Sequence, residues 1–335
     1  MTDEIRHQAQ IDPARCLLAT TAISNCSSCI DACPKDAWIL TDESIDLDEN
    51  GCDGCGICTP VCPTGAVTVE GSVPLLLERN LLSLVCGDVT PYSALNRVEC
   101  IHSIGLETLV GLYRDGMRRI RACIGACNDC SRSSNEGFWT TFMGFNNALH
   151  ARELPMIVLE FSEKDCSKQE EQASAPTDTA RRGFFSKLFG RQAVGADDDA
   201  VENHTDSPGN WLASSGFTGP LPHVPVIDPS TCLACHACVR ICPQQAIVHD
   251  QEASGYRLYA ESCNGCRLCV DICEHGAIAI DSWSVQKQFG FDVVSKRCAA
   301  CGVDFSLVQL DSEAEDRCHI CRTSNRFNNL YQLID

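Results

Sequence analysis

Four copies of one cysteine phrase punctuate this chain, and they constrain its fold more than any hydrophobic pattern does. They read Cys33-Pro-Lys-Asp-Ala37, Cys62-Pro-Thr-Gly-Ala66, Cys242-Pro-Gln-Gln-Ala246 and Cys273-Glu-His-Gly-Ala277. Each copy closes a cysteine run and precedes a short apolar stretch. Three runs are complete, with the spacing C-x2-C-x2-C-x3-C: Cys52, Cys55, Cys58 and Cys62; Cys232, Cys235, Cys238 and Cys242; Cys263, Cys266, Cys269 and Cys273. Thiolates are soft, polarizable ligands, and cysteines this close on one loop can wrap a metal–sulfide centre. Segments built this way are cross-linked by metal and need little regular core.

The fourth run is interrupted. Cys26, Cys29 and Cys33 keep the spacing, but Ile23 stands where a first cysteine is due. A second repeat repairs the gap. The phrase Ile227-Asp-Pro-Ser-Thr-Cys232 in the later module has an early counterpart, Ile11-Asp-Pro-Ala-Arg-Cys16. Cys16 is therefore expected to be the missing member, displaced by an insertion at 17–25. An unrelated buried thiol is the alternative.

This spacing resembles that of the two-[4Fe–4S] bacterial ferredoxin family, in two copies over 1–72 and 226–285. In that spacing three cysteines of a run hold one cluster and the fourth reaches its neighbour. The resemblance thus implies four [4Fe–4S] clusters on crossed sets. Cys16, Cys26, Cys29 and Cys62 form one set, and Cys52, Cys55, Cys58 and Cys33 another. Cys232, Cys235, Cys238 and Cys273 form the third, and Cys263, Cys266, Cys269 and Cys242 the fourth. Glu274 replaces the proline of the other phrases, which is expected to alter loop stiffness and not ligation. His236 and His275 lie beside cluster cysteines and are expected to be loop surface, with tuning of potential as the alternative.

A chain of 335 residues is long enough for several domains. Its 26 cysteines would suggest disulfides in a secreted mini-protein. Against that, Met1-Thr-Asp-Glu-Ile-Arg-His-Gln shows no apolar core or cleavage pattern, and 73–85 is too short and polar to span a bilayer. A soluble, cytoplasmic protein with reduced thiols is expected. The formal net charge of −19 disfavours nucleic acid and favours redox partners with basic docking surfaces.

The expected class is α+β multidomain. Two ferredoxin-like modules, 1–72 and 226–285, should carry small strands at 37–40, 66–69, 246–248 and 277–280. Between them, 73–166 alternates strand and helix: strands at 81–85, 97–100, 120–124 and 156–161, and helices from Ile104 and over 138–151. That order predicts a small α/β domain with a parallel sheet. Residues 167–225 lose periodicity and read as a flexible linker, containing Asp197-Asp198-Asp199 and the island Arg181-Arg182-Gly-Phe184-Phe185. Such a linker would let the second module swing. The tail, 286–335, carries Cys298, Cys301, Cys318 and Cys321 as C-x2-C-x16-C-x2-C, which predicts a zinc ribbon, or a rubredoxin-type iron on the same ligands.

Cys86, Cys100, Cys123, Cys127 and Cys130 should converge at the carboxyl edge of the central sheet, where α/β domains place ligands. The stretch 97–130, with Arg97-Val-Glu-Cys100 and the loop to Cys130, resembles the small iron–sulfur delta-subunit family of hydrogenases linked to heterodisulfide reductase. That resemblance implies a [2Fe–2S] cluster. Here Cys86 stands alone where that family pairs its early cysteines, so a fifth cluster and ordinary buried thiols both stay open. Cys166 is not expected to be a ligand. The Arg181–Arg182 island resembles a twin-arginine motif but is internal; a docking helix and a chance basic segment are its two readings.

No dinucleotide fingerprint, P-loop, nucleophile elbow, or flavin or molybdenum-cofactor signature is present. The expected function is single-electron transfer without catalysis of its own. Its setting would be a larger oxidoreductase such as formate dehydrogenase, another molybdenum enzyme or a hydrogenase-type complex. Two other classes compete: a maturation factor that binds an exported redox enzyme or its chaperone, and a zinc-rich interaction scaffold.

Overall fold

The computed structural model describes residues 8–41, 44–69, 75–87, 96–125, 127, 130–132, 137–161, 207–215, 218–250, 252, 254–308 and 316–323. The island at 181–185, the acidic patch at 197–199 and Cys166 lie outside them.

The only extensive apolar core belongs to the middle of the chain among the described residues. Four parallel strands lie in the order Arg97–Val98, Leu81–Cys86, Arg119–Cys123, Val158–Phe161. Leu82, Leu84, Ile120 and Ala122 are buried at alternate positions, as the two-residue period of a strand requires. The helices Leu106–Arg114 and Gly137–Ala151 contribute Leu109, Phe138, Phe145 and Leu149, all fully buried. The expected strand at 97–100 ends at Val98, because a short 3-10 turn, Ile101–Ser103, follows Cys100.

Each cysteine-rich module pairs its first strand with its last and carries a hairpin between them. In the first module Ala9–Ile11 pairs antiparallel with Val67–Val69, and Trp38–Leu40 with Ile45–Leu47. In the second, Leu221–Ile227 pairs with Ile278–Ser284, and Ile247–Asp250 with Gly255–Leu258. This second hairpin continues through Gly290–Arg297 and Asp304–Val308 into a four-stranded antiparallel sheet. The tail is therefore not a separate unit from residue 286 onward; its first strands extend the module.

The expected linker also ends earlier than its composition suggests. Pro208–Ala213 is a helix with Ser207 as its cap, the Asn210 N–H donating to the serine hydroxyl. Leu212 is fully buried, and Trp211 packs edge-on against Tyr113 at 5.6 Å. Arg152, only 2 % exposed, donates to the carbonyls of Leu212, Pro220 and Gly219. Trp211, Leu212, Leu221 and Val224 are apolar anchors in a Gly-, Ser- and Pro-rich stretch, so composition alone hides them.

Candidate metal centres

The repeated sequence phrases become repeated hydrogen bonds. After each first strand, Asp12 N–H donates to the Ala66 carbonyl and Asp228 N–H to that of Ala277, both at 2.8 Å. Cys16 N–H then donates to the Asp12 carbonyl and Cys232 N–H to the Asp228 carbonyl, both at 3.1 Å. Cys16 and Cys232 thus sit on the same turn, fixed by the same Ile-Asp-Pro phrase.

The four Cys-x-x-x-Ala phrases share a second device. The alanine N–H donates to the cysteine sulfur: Ala37 to Cys33 at 3.4 Å, Ala66 to Cys62 at 3.2 Å, and Ala246 to Cys242 and Ala277 to Cys273 at 3.3 Å. To bring that N–H round, the preceding residue turns left-handed, with φ of 50° at Asp36, 59° at Gly65, 51° at Gln245 and 62° at Gly276. Glycine adopts this conformation at no steric cost, and aspartate tolerates it better than most residues. The Cys273 phrase keeps the bond although Glu274 replaces proline. Hydrogen bonds to ligand sulfur tune a cluster's potential.

A third device was not read from the sequence. The N–H of a run's second cysteine donates to a side-chain oxygen two residues earlier: Cys55 to Asp53, Cys266 to Asn264 and Cys26 to Ser24. Short polar side chains two residues before a cysteine are the signal that could have found it.

Each crossed set lines a space of its own. One, of about 310 Å³, is bordered by Cys33, Cys52, Cys55 and Cys58. A second, of about 320 Å³, is bordered by Cys16, Cys26, Cys29 and Cys62, and a third of the same size by Cys242, Cys263, Cys266 and Cys269. Cys232, Cys235, Cys238 and Cys273 border the fourth, which opens into a cleft of about 1560 Å³. Three such spaces, each bordered by the four cysteines of one set, suit one repeated group.

Electrostatics agrees with the grouping. Burial, then the neighbouring charges of Cys26, Cys62 and Cys16, push the Cys29 thiol up to about 12. Burial, then Cys232 and Cys235, with Cys273 adding, do the same to Cys238. Four thiolates cannot share such a space unless cations compensate them. The donor set therefore fits an iron–sulfide core.

The tail's cysteines are arranged differently. Ligand sulfurs of Cys298, Cys301, Cys318 and Cys321 all lie within 4.8 Å of one another, with Cys301 and Cys318 sulfurs 3.8 Å apart. Tetrahedral coordination with metal–sulfur bonds of about 2.3 Å separates the sulfurs by about 3.8 Å. One ion fits there. The backbone N–H of Cys318 donates to Cys298 sulfur at 3.3 Å, and such donors lower the Cys298 thiol below its ordinary range.

In the central domain Cys86 and Cys100 are buried at the carboxyl edge of the sheet. Burial, with the charges of Cys86 and Cys55 adding to it, pushes Cys100 up to about 12. Cys127 and Cys130 are half-buried and outside any disulfide, whereas Cys123 is disulfide-bonded and offers no thiolate. Among the described residues the central cysteines form no tight single-ion group like that of the tail. Arg132 ties this region to the first module, donating to Asp53 at 2.7 Å and to the Glu99 carbonyl at 2.7 Å. Burial raises the Asp53 carboxyl, but bonds and charge from Arg132 outweigh it and hold it below the usual carboxylate range.

His236 is not loop surface. Its ring is half-buried, with Nδ1 3.0 Å from the Tyr256 hydroxyl and Nε2 3.0 Å from that of Ser306. His275 is exposed, as expected.

Two descriptions of a 4Fe–4S dicluster domain match the chain, one over residues 24–69 and one over 224–274. An uncharacterized ferredoxin of Methanocaldococcus jannaschii is 40 % identical over 48 residues, which cover 77 % of its length and 14 % of this chain. The chain belongs to the 4Fe–4S ferredoxin family. A ferredoxin of Methanothermococcus thermolithotrophicus is 39 % identical over 46 residues, covering 77 % of that protein and 13 % of the chain. Hydrogenase-4 component A of Escherichia coli is 43 % identical over 47 residues, 14 % of the chain, and the match spans only 23 % of that relative. The first dicluster match begins at residue 24, so Cys16 falls outside it and is placed by geometry alone. Neither dicluster match reaches 97–130, and the delta-subunit likeness has no support beyond its motif. No helix among the described residues is long and apolar enough to cross a membrane.

Proposed function

We propose that this ferredoxin carries single electrons on four [4Fe–4S] clusters held by the four crossed sets, with one further metal, zinc or a rubredoxin-type iron, on the C-terminal sulfur tetrad. The observation that carries the reading is that each crossed set borders a space of its own, Cys16 included, three of them small and the fourth opening into a cleft. The clusters, when bound, supply the one-electron chemistry. The chain's part is to exclude water, to hold the sulfurs apart at fixed positions, and to donate N–H groups to them. Cys86, Cys100 and Cys130 are the central thiols we would assign to an additional cluster, with Cys127 on the same loop as Cys130.

The setting we infer is a larger oxidoreductase. Likeness to a component of hydrogenase-4 supports a hydrogenase-type partner, with formate dehydrogenase and other molybdenum enzymes of the same broad class. Cys235 is the exposed cysteine of the four crossed sets, at the mouth of the open cleft, and marks where a partner can approach. The net charge of −19 favours a basic docking surface on that partner.

Replacing Cys16 by alanine tests the ligand assignment. Anaerobically purified Cys16→Ala should lose about 4 of about 16 iron atoms, with matching sulfide. Unchanged iron would make Cys16 an ordinary thiol and remove the crossed-set reading of the first module.

A further inference from the structure

A swinging second module would need the two ferredoxin modules to be free of each other, and they are not. Asn25 N–H donates to the Asp271 carboxylate at 3.0 Å, and the Asn264 amide donates to the Pro63 carbonyl at 2.9 Å. These contacts bring the Cys26 loop beside the Cys266 loop.

The central domain grips both modules from behind. On the first module, Gly56 lies against the Ser103 side chain and Gly105 against Pro60. On the second, a Cβ at Gly144 would fall inside the Trp283 indole, and one at Gly209 would meet the Glu261 carbonyl. Glycine at 144 is thus a notch cut for Trp283. Leu221 and Val224, from the second module's first strand, are part of the same core as Leu82 and Phe145. A core shared in this way leaves no hinge between the two bodies.

We propose that the two ferredoxin modules work as one fixed array, joined through the Cys26 and Cys266 loops and clamped by the central domain, and not as two independently moving carriers. This rests on the reading that the crossed sets hold clusters. Within each module the helices that carry the two sets pack together, Ser28–Asp31 on Cys58–Val61 and Ala237–Ile241 on Leu268–Asp271, and the Cys26 and Cys266 loops join one module to the other. The array therefore starts at the set containing Cys55, which packs with Cys100, and ends at the set containing Cys235, beside the C-terminal tetrad. The order of the sets in space is their order of completion along the chain, at Cys58, Cys62, Cys269 and Cys273.

The test uses full-length, cluster-loaded protein with a protease site engineered at 190–196. After cleavage, verified on a denaturing gel, the two fragments should co-elute at one to one from a native sizing column. In reduced protein, magnetic resonance should show spin coupling between the modules in addition to coupling within each. Gly144→Leu with Asp271→Arg should let the cut fragments part, each keeping about 8 iron atoms. Asp271→Arg alone, which leaves the core intact, should weaken the coupling without changing iron content. Fragments of the uncut-sequence background that separate after cleavage, or two uncoupled pairs of spins, would overturn the array. A colourless protein without sulfide would instead overturn the cluster reading on which it rests.

Discussion

In the first ferredoxin module the paired terminal strands, Ala9–Ile11 and Val67–Val69, are three residues each; in the second, Leu221–Ile227 and Ile278–Ser284 are seven each. The first module's hairpin stops at two strands, whereas the second's grows to four and leads to the sulfur tetrad. Yet the Asp turns, the alanine N–H bonds to sulfur and the left-handed residues recur in both. The metal loops are thus nearly independent of the sheet beneath them, and the extra strand length serves docking. Trp283, near the far end of the longer ladder, reaches the Gly144 notch, and among the described residues the first module has no strand as long.

The largest way to break this comparison is to remove the tail's metal. Cys298→Ser should cost about one metal ion and unfold the strands beyond the second module's hairpin, since structural zinc sites contribute on the order of 10 kcal/mol to folding. Acid-labile sulfide should stay unchanged. Loss of sulfide along with zinc, measured by elemental and colorimetric assay, would show that the second module depends on its tail for cluster binding.

Next in size is Leu212→Ala. A fully buried leucine in a shared core should cost about 3 kcal/mol, seen as a lower denaturation midpoint. A cost below about 0.5 kcal/mol would return 207–215 to the linker.

Smaller effects sharpen the likeness between the modules. Gly65→Ala and Gly276→Ala should each cost about 1 kcal/mol, because both residues are left-handed, with φ of 59° and 62°. Equal losses in the two modules are expected, and a loss in one alone would mean that the shared turn is not equally strained. Smallest is Ser24→Ala, which removes the acceptor for Cys26 N–H and should cost at most about 1 kcal/mol.

Much of the site was legible because the chain repeats itself. The phrase Ile-Asp-Pro before Cys16 and Cys232 pointed to a candidate ligand that spacing alone would miss, since the insertion at 17–25 breaks the run, and the two cysteines lie on equivalent turns. The parallel central sheet followed from its alternating elements, with strand ends shifted by a residue or two. What escaped was long-range packing. Nothing local to Gly144 announces Trp283, and nothing local to Arg152 announces three carbonyls from 212–220. His236 read as surface because its partners, Tyr256 and Ser306, come from strands far along the chain. The linker was overextended for the same reason: apolar anchors in a polar-looking stretch have meaning only against the core they enter.

The central claim is the content of the metal sites, and a count of iron, acid-labile sulfide and zinc per chain in anaerobically purified protein tests it most directly. Four cubanes and a single-ion tetrad predict about 16 iron, about 16 sulfide and about one zinc. A reproducible excess of about two to four iron with matching sulfide would place a further cluster on the central cysteines. Mostly zinc with little sulfide, unaltered by reconstitution, would contradict the account.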